Sequence, residues 1–379
     1  MKLTIKKNLI LEALKNVNNI VNVNNLNPIL SSVLLKTEDD KLVITATNGT
    51  NSYLQTISDI KIKKEGEILV RAKFLYNIIS KIEHQEVEIN QLDEKLLEVK
   101  TTNFSCEINL TEQRSFPIID FNYQNLTKII LTQDVMINVA SKITPFCSIG
   151  DTYLTLEGIL FKNIDSKNME CISTNKVTAS YYCFNYQLQN PTNVNEGDIK
   201  FVIAPEAIKI VLEILSSRKI KEFDLYTDDK KCIFKIQDTL LSFVLYENNT
   251  YPFPDIVDKL LARQKYSFTV KTHDLLLALQ RGCLFVNNEA QPTVKFHIGD
   301  KTLDIKFTSC DVGSSFEQIT FEDKNIGFLD FSLNPKMLVQ IVASINMPEI
   351  TFNCDNETSP IVISTKNKYF VNLIMPCKL

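Results

Sequence analysis

The sequence predicts an α+β chain in which one domain fold, two helices packed on antiparallel sheets, is used three times in tandem. Three observations carry this. The stretches GEILVRAKFLYNIISKIEHQEVEI (66–89), GDIKFVIAPEAIKIVLEILSSRKIKEFDLY (197–226) and GFLDFSLNPKMLVQIVASINMPEITF (327–352) repeat one order of elements. Each opens on Gly (Gly66, Gly197, Gly327), runs through an apolar strand, starts a helix six or seven residues on and leaves in a second strand. With Ala72, Ala204 and Asn334 equivalent, the offsets are 132 and 130 residues. That is longer than the roughly 20–50-residue period of a solenoid and is the size of a small domain. Second, helix-period segments alternate with period-two hairpins, which sets helices on one side of antiparallel sheets. Third, 379 residues accommodate three domains of about 125, each large enough for its own core.

The elements follow in order. Domain 1 (1–124) opens with strand 2–6 and a helix over 7–20 carrying Leu9, Ile10, Ala13, Leu14 and Val17 on one side. Asn24, Asn25, Asn27 and Pro28 end it, and a hairpin turns at Glu38-Asp39-Asp40, acidic residues that suit a turn. The repeated strand–helix–strand comes next, then strands LLEVKT and FSCEINL, closing at Ser115-Phe116-Pro117. Domain 2 (125–257) has strand 128–132, helix QDVMINVASKI, hairpin EGILFKN with MECIST, and the second copy of the repeat. Pro205 suits the first helical turn, where its missing N–H would be unsatisfied anyway, and Ile208, Val211, Leu212 and Leu215 form the apolar face. Strands CIFKIQ and LLSFVLYE lead to Thr250-Tyr251-Pro252. Domain 3 (258–379) has strand YSFTVK, helix HDLLLALQRGC, hairpin TVKFHIGDKTLDIKF, the third repeat and a last hairpin. Segments 122–127 and 257–265 read as short connectors.

Composition removes most chemistry. With 44% apolar and 23% charged residues the chain is an ordinary globular protein, and no apolar run approaches the ~20 residues that span a bilayer. The opening MKLTIKKNLILEALKNV lacks an apolar signal region, so a cytoplasmic location is expected. The nine cysteines are scattered, with no C-x-x-C, which argues against disulfide frameworks and zinc. The nine glycines form neither GxGxxG nor GxxxxGK[ST]. The three histidines, His84, His273 and His297, lie in different segments without ligand spacing, and no G-x-S-x-G is present. No cofactor, metal or catalytic residue is expected, and the chain does not read as an enzyme.

What remains is charge placement. The six predicted helices (7–20, 71–83, 133–147, 205–219, 272–286, 334–346) carry eleven basic and six acidic side chains, although the chain as a whole has a net charge of −4. An acidic protein with basic helices can set those helices against a polyanion, and lysines that solvate helix ends give the same count.

Taken together, these features resemble the bacterial DNA polymerase III beta subunit, the sliding-clamp family, over the full length. MKLTIKKNLILEALKNV is similar to the family's opening strand and helix, and Asn27-Pro28-Ile29-Leu30 to its "PIL" turn. Leu156-Glu157-Gly158-Ile159-Leu160-Phe161 resembles the "LxGhxF" strand of the middle domain. Gln291-Pro292 with Val294-Lys295-Phe296 resembles the first hairpin strand of the third, and Leu373-Ile374-Met375-Pro376-Cys377-Lys378-Leu379 the terminal "hhMPhRL".

The resemblance implies a non-catalytic processivity factor: a head-to-tail homodimer whose six like domains close a ring around double-stranded DNA, independent of sequence. Twelve helices of roughly 10 Å width would leave a hole on the order of 28 Å, room for duplex DNA and water. Weak phosphate contact suits a device held on by topology. A non-encircling peptide-binding scaffold of the same fold is the alternative. The implied DNA-facing residues are Lys15, Asn24, Arg71, Lys73, Lys142, Lys209, Arg218 and Arg281. The resemblance also implies a cleft between domains 2 and 3, where the DNA polymerase III alpha subunit, the clamp loader and repair proteins dock short hydrophobic motifs. Its residues map to Leu156, Thr174, Pro252, Val257, Met337, Leu373, Met375, Pro376, Cys377 and Leu379. Here the chain departs from the family. "TDxHRLA" reads Thr174-Asn175-Lys176-Val177-Thr178-Ala179, and "YPDxxRhIP" reads Tyr251-Pro252-Phe253-Pro254-Asp255-Ile256-Val257 without arginine. Phe104, Cys106 and Phe285 are the implied dimer contacts.

Overall fold

The computed structural model describes all residues except 22–26, 113–115, 190–194, 248–250, 252–264, 291, 322–326, 367–368 and 378–379. Expectations at Asn24, Asn25, Ser115, Pro252, Val257, Gln291 and Leu379 therefore lie outside the described residues. The chain packs as two compact units. The first holds Met1–Asp134, Gln187–Asn190 and Glu206–Leu245; the second holds Val135–Tyr186, Pro191–Pro205 and Tyr246–Leu379. The middle third of the chain contributes to both.

Two sheets build the first unit. One is five-stranded, in the spatial order β5 (Ile60–Lys64), β1 (Lys2–Lys6), β7 (Glu86–Gln91), β8 (Leu96–Lys100), β9 (Ser105–Asn109). The other is nine-stranded: β14 (Gln187–Leu188), β10 (Thr127–Thr132), β16 (Glu222–Thr227), β17 (Lys231–Ile236), β18 (Thr239–Val244), β4 (Asn51–Ile57), β3 (Lys41–Thr47), β2 (Ser32–Glu38), β6 (Gly66–Arg71). The second unit has an eight-stranded sheet, β15 (Lys200–Ile203), β11 (Ile159–Asn163), β12 (Asn168–Thr174), β13 (Thr178–Asn185), β26 (Phe370–Ile374), β25 (Ile361–Ser364), β24 (Glu349–Cys354), β19 (Tyr266–Lys271). Its other sheet is four-stranded: β22 (Gly313–Thr320), β21 (Thr302–Ser309), β20 (Val294–Ile298), β23 (Leu329–Leu333).

The large sheets are each two blocks joined at a seam. The block β14-β10-β16-β17-β18 has the order of β5-β1-β7-β8-β9, and β4-β3-β2-β6 has the order of β22-β21-β20-β23. The eight-stranded sheet joins β15-β11-β12-β13 to β26-β25-β24-β19 in the same way. Both seams are antiparallel, running from Thr239↔Gln55 to Phe243↔Asn51 and from Thr178↔Ile374 to Tyr182↔Phe370. By position in the repeat, β9 corresponds to β18 and β26, and β22 corresponds to β4 and β13. Yet β9 and β22 each end a sheet.

Helices lie over the sheets as the apolar periodicity predicts. In the first unit, α1 (Lys7–Ile20) buries Ile10, Ala13, Leu14 and Val17, α2 (Ala72–Lys81) buries Ala72, Leu75 and Ile79, and α4 (Pro205–Arg218) buries Ile208, Val211, Ile214 and Leu215. Lys219, left-handed at φ 55°, ends α4, and the Ile220 N–H returns to the Leu215 carbonyl at 3.0 Å. In the second unit, α5 (Thr272–Val286) and α6 (Pro335–Ser344) share one core with β20 and β21. The helix expected over 133–147 is corrected. Only α3 (Gln133–Asn138) is α-helical, followed by a π turn over Val139–Ile143 and a 3-10 turn over Thr144–Phe146. Pro145 supplies no N–H and crowds the carbonyl one turn back, while Ser141 Oγ bonds the Ile137 carbonyl at 2.7 Å, a local competitor of the helical ladder. Close approach fixes Gly282 on α5: a Cβ there would lie 2.1 Å from the Phe307 ring on β21. Among the described residues no helix is long and apolar enough to cross a membrane.

Candidate functional sites

Of the residues mapped to the peptide cleft, Leu156, Thr174, Met337, Leu373, Met375, Pro376 and Cys377 are described, and they lie in the second unit, where β12, β13 and β26 run side by side. The β12–β13 turn is tight because Asn175 Oδ1 accepts the N–H groups of Val177 (3.1 Å) and Thr178 (2.7 Å), and Thr174 Oγ1 accepts that of Lys176 (3.1 Å). Lys176 is forced left-handed, φ 72°. This geometry turns Val177 outward, and its carbonyl accepts the Met375 N–H at 2.8 Å. The chain then crosses so that the Cys377 N–H reaches the Ser332 carbonyl at 2.8 Å. Met375 is exposed, Leu373, Pro376 and Cys377 are half-buried, and Met337 packs partly buried on the core. Leu156 and Thr174 are buried, so they would form the floor of the implied cleft.

A second loop completes the wall. Ser148 joins it to the floor, its N–H donating to the Leu156 carbonyl (2.9 Å) and its Oγ to that of Thr174 (3.5 Å). Asp151 is its anchor. The Asp151 N–H donates to Glu157 (2.9 Å), while its carboxylate accepts the Tyr153 N–H (3.0 Å) and the Lys176 Nζ (2.8 Å). Lys176 and the Tyr153 N–H hold the Asp151 carboxyl below its ordinary range. The Lys176 ammonium also lies 5.4 Å from the centre of the Tyr153 ring, a cation–π contact. With its polar side tied down, the loop leaves Ile149, Tyr153 and Leu154 exposed, as Val177 and Met375 also are. Apolar walls with a few convergent polar groups suit a short peptide anchor. Sequence reasoning missed Tyr153, Leu154 and Val177. The cue was the run of large apolar residues in a polar loop.

The basic residues divide. Arg71, Lys73 and Lys209 are exposed and, among the described residues, have no ion-pair partner. Lys15 is bound to Glu213 at 2.8 Å and Arg281 to Glu317 at 2.6 Å, the cation exposed and the carboxylate half-buried in each pair. Lys142 is half-buried with its ammonium 3.8 Å from the centre of the Phe370 ring, and burial lowers its pKa. Arg218 needs correction as a DNA-facing residue. Its side chain is 11% exposed, and the guanidinium donates to Glu12 (2.6 Å), Asp238 (2.6 Å) and Thr239 (3.1 Å). Burial opposes its charge, but the Glu12 hydrogen bond and the two carboxylates outweigh that and keep its pKa raised. This network ties α1, α4 and β18 at the β18–β4 seam, with Gln55 of β4 bonded to Asp238 at 3.0 Å. A charge count sees a cation, whereas the fold makes it an internal tie.

The implied dimer contacts sit near the unfinished edges. Phe104 is exposed just before β9, and Cys106, on β9, has its thiol pushed up by burial. With Asn77, Ile78, Lys81, Ile82 and His84, Phe104 lines a cavity of about 480 Å³ between the end of α2 and the β8–β9 turn. Phe285 packs partly buried against the core of the second unit; its neighbour Leu284, at 69% exposure, is the residue that points outward.

Comparison with known proteins agrees with this fold. The family description "DNA polymerase III beta subunit, N-terminal domain" matches residues 1–120, and "DNA polymerase III beta subunit, C-terminal domain" matches 260–378. The beta sliding clamps of Mycoplasma capricolum and Bacillus subtilis are each 21% identical to the chain, covering 99% of both proteins in the first case and 100% of both in the second. Among solved structures, the DNA polymerase sliding clamp from Bacillus subtilis superposes with a TM-score of 0.90 at 21% identity, over 100% of this chain and 99% of that one. The beta subunit from the DNA polymerase of Streptococcus pyogenes gives 0.89 at 19% identity, over 100% of both chains. The chain belongs to the DNA polymerase III beta subunit family.

Proposed function

We propose that two copies of this chain close head to tail into a ring around duplex DNA, in the cytoplasm, and serve there as a non-catalytic sliding clamp for DNA polymerase III. The observation that carries this reading is the pair of unfinished sheets. β9 and β22 are the counterparts of seam strands that pair elsewhere in the same chain, and unpaired edges invite such addition. β9 of one copy pairs with β22 of the other, as β18 does with β4. The helices support the same joint. Counted from the helix starts, Leu277 and Leu284 of α5 hold the places of Glu12 and Asn19 of α1, which bond Arg218 and Glu213 of α4. The counterpart of α4 is α2, with Phe74 and Ile78 on its outer side. The cavity beside Phe104 then receives an apolar side chain of α5 from the other copy.

A head-to-tail joint used twice closes a two-chain ring, and three domains per chain (1–124, 125–257, 258–379) make it six-part. Arg71, Lys73 and Lys209 supply phosphate contact around the hole. The DNA polymerase III alpha subunit, clamp loader and repair proteins dock short hydrophobic motifs in the Val177–Met375 cleft. The test has two parts. Sedimentation should give a mass near twice the 43.3 kDa of one chain. After loading, the protein should stay on nicked circular DNA and leave linear DNA. A monomer lost equally from both would be a non-encircling scaffold and would end the ring reading.

A further inference from the structure

A cavity of about 470 Å³ opens in the first unit, where Pro28 and the start of α2 meet the stretch 108–111 at the end of β9. Buried Ser32 ties its two sides: Oγ donates to the Pro28 carbonyl (2.7 Å) and lies 3.3 Å from the Thr111 hydroxyl. Phe74, Ile108 and Leu110 line it with apolar surface, and Arg71 is the one charged side chain among the described residues around it. The internal repeat identifies its counterpart. The Thr111 N–H donates to the Leu69 carbonyl at 2.8 Å, and the Cys377 N–H to the Ser332 carbonyl at 2.8 Å. Leu69 and Ser332 are 263 residues apart, as are Ala72 and Pro335, where α2 and α6 begin. On this register Phe74 holds the place of Met337 and Arg71 that of Asn334. Asn109, Leu110 and Thr111 hold the places of Met375, Pro376 and Cys377. The cavity therefore repeats, in the first copy of the unit, the side of the peptide cleft that the third copy supplies. One exchange alters its chemistry. Asn334 spends its Oδ1 on the N–H groups of Lys336 (3.0 Å) and Met337 (3.3 Å), whereas Arg71 caps nothing and, among the described residues, has no ion pair.

We infer that this cavity is a second peptide-docking site, which takes a bulky apolar residue with an acidic residue beside it. The inference rests on the ring and cleft readings and extends them. The volume falls within the roughly 300–1,000 Å³ of ligand pockets, and apolar walls with few polar groups are their usual lining. The guanidinium fork of Arg71 matches a carboxylate through two parallel N–H···O bonds, and the apolar neighbours strengthen that contact by excluding water. A DNA phosphate could meet the same guanidinium but would leave Phe74 and Leu110 unused, which favours a peptide. Ring closure supplies the second wall. At the β13–β26 seam that wall is the β12–β13 turn, with Val177 directly before β13. At the joint the β21–β22 turn of the other copy takes its place, with Val312, 58% exposed, directly before β22.

The probe is a ten-residue peptide with a Leu-Leu anchor, Asp or Asn beside it and a benzophenone crosslinker next in line. It is irradiated with the whole protein, and mass spectrometry maps the adducts. The Asp peptide should label 71–74 or 108–111 as well as the cleft. The Asn peptide should label the cavity about two- to five-fold less, the range of an exposed ion pair. Arg71→Gln should bring the Asp peptide down to the Asn level at the cavity and leave the cleft adducts as they were. Val312→Asp should lower cavity labelling alone, and Met375→Asp cleft labelling alone. Adducts in the cleft only overturn the inference and leave the cleft reading standing, because the joint then fills the cavity. Cavity adducts indifferent to both Asp and Arg71→Gln also overturn it, as do cavity adducts that a short duplex DNA removes while sparing the cleft. A chain that sediments as a monomer ends the ring reading; cavity adducts on it uphold the site and remove only the part given to Val312. If neither place is labelled, the cleft reading fails together with this inference.

Discussion

Truncating Leu284 to Ala tests the proposed joint at one side chain. Leu284 is 69% exposed on α5, so the isolated chain loses little by the change, while the joint would bury it in the cavity beside Phe104 of the other copy. Full burial of a leucine side chain is worth about 1.5–3 kcal/mol. Scaling by the exposed fraction leaves about 1–2 kcal/mol per joint. Head-to-tail closure makes two identical joints, so the dimer loses about 2–4 kcal/mol, a roughly 30- to 1,000-fold rise in its dissociation constant. Sedimentation equilibrium across a dilution series measures this directly, and thermal unfolding at high protein concentration should show the fold intact. The control is Phe328→Ala, equally exposed but next to β23, at the far side of its sheet from β22. A dissociation constant for Leu284→Ala within threefold of the parent would refute the α5–α2 joint.

Three further outcomes follow from the fold and the site. Gly282→Ala should lower the stability of the second unit by about 1–3 kcal/mol, the usual cost of overpacking, since a Cβ would lie 2.1 Å from Phe307; calorimetry decides this, and an unchanged transition means the α5–β21 approach is looser than described. Lys209→Ala should reduce the salt dependence of DNA binding by about one counterion, whereas Arg218→Ala should leave that slope alone and cost about 2–3 kcal/mol of stability by stranding Glu12 and Asp238; equal slopes in both variants would put Arg218 back at the DNA. Arg281 holds the Glu317 carboxyl below its ordinary value of 4.5, so its contribution is complete above that pH and lost as pH falls through the lowered value. Glu317→Gln should therefore be less stable than the parent at neutral pH and converge with it in acid, and a constant gap down to pH ~2 would show that the pair does not titrate as a unit.

The chain order of strands and helices was legible in the sequence because it rests on local physics. Period-two alternation produced the hairpins, helical spacing the apolar faces of α1, α2 and α4, and Gly66, Gly197 and Gly327 marked three copies of one unit. What failed was whatever depends on a partner distant in sequence. Arg218 reads as a free cation until Glu12, 206 positions away, is folded against it. Phe285 and Leu284 are interchangeable as letters, and only packing on the core turns one inward and the other out. Tyr153 becomes part of a wall only when Asp151 ties its loop to Lys176. The seams are the largest instance. No local pattern states that β18 pairs with β4 or β13 with β26, because edge pairing is a contact between segments whose own propensities are already satisfied. By itself, then, the sequence determined which elements form and that they recur. Tertiary structure decided which edges are used and which charges are already partnered, because those are properties of surfaces brought together by the fold.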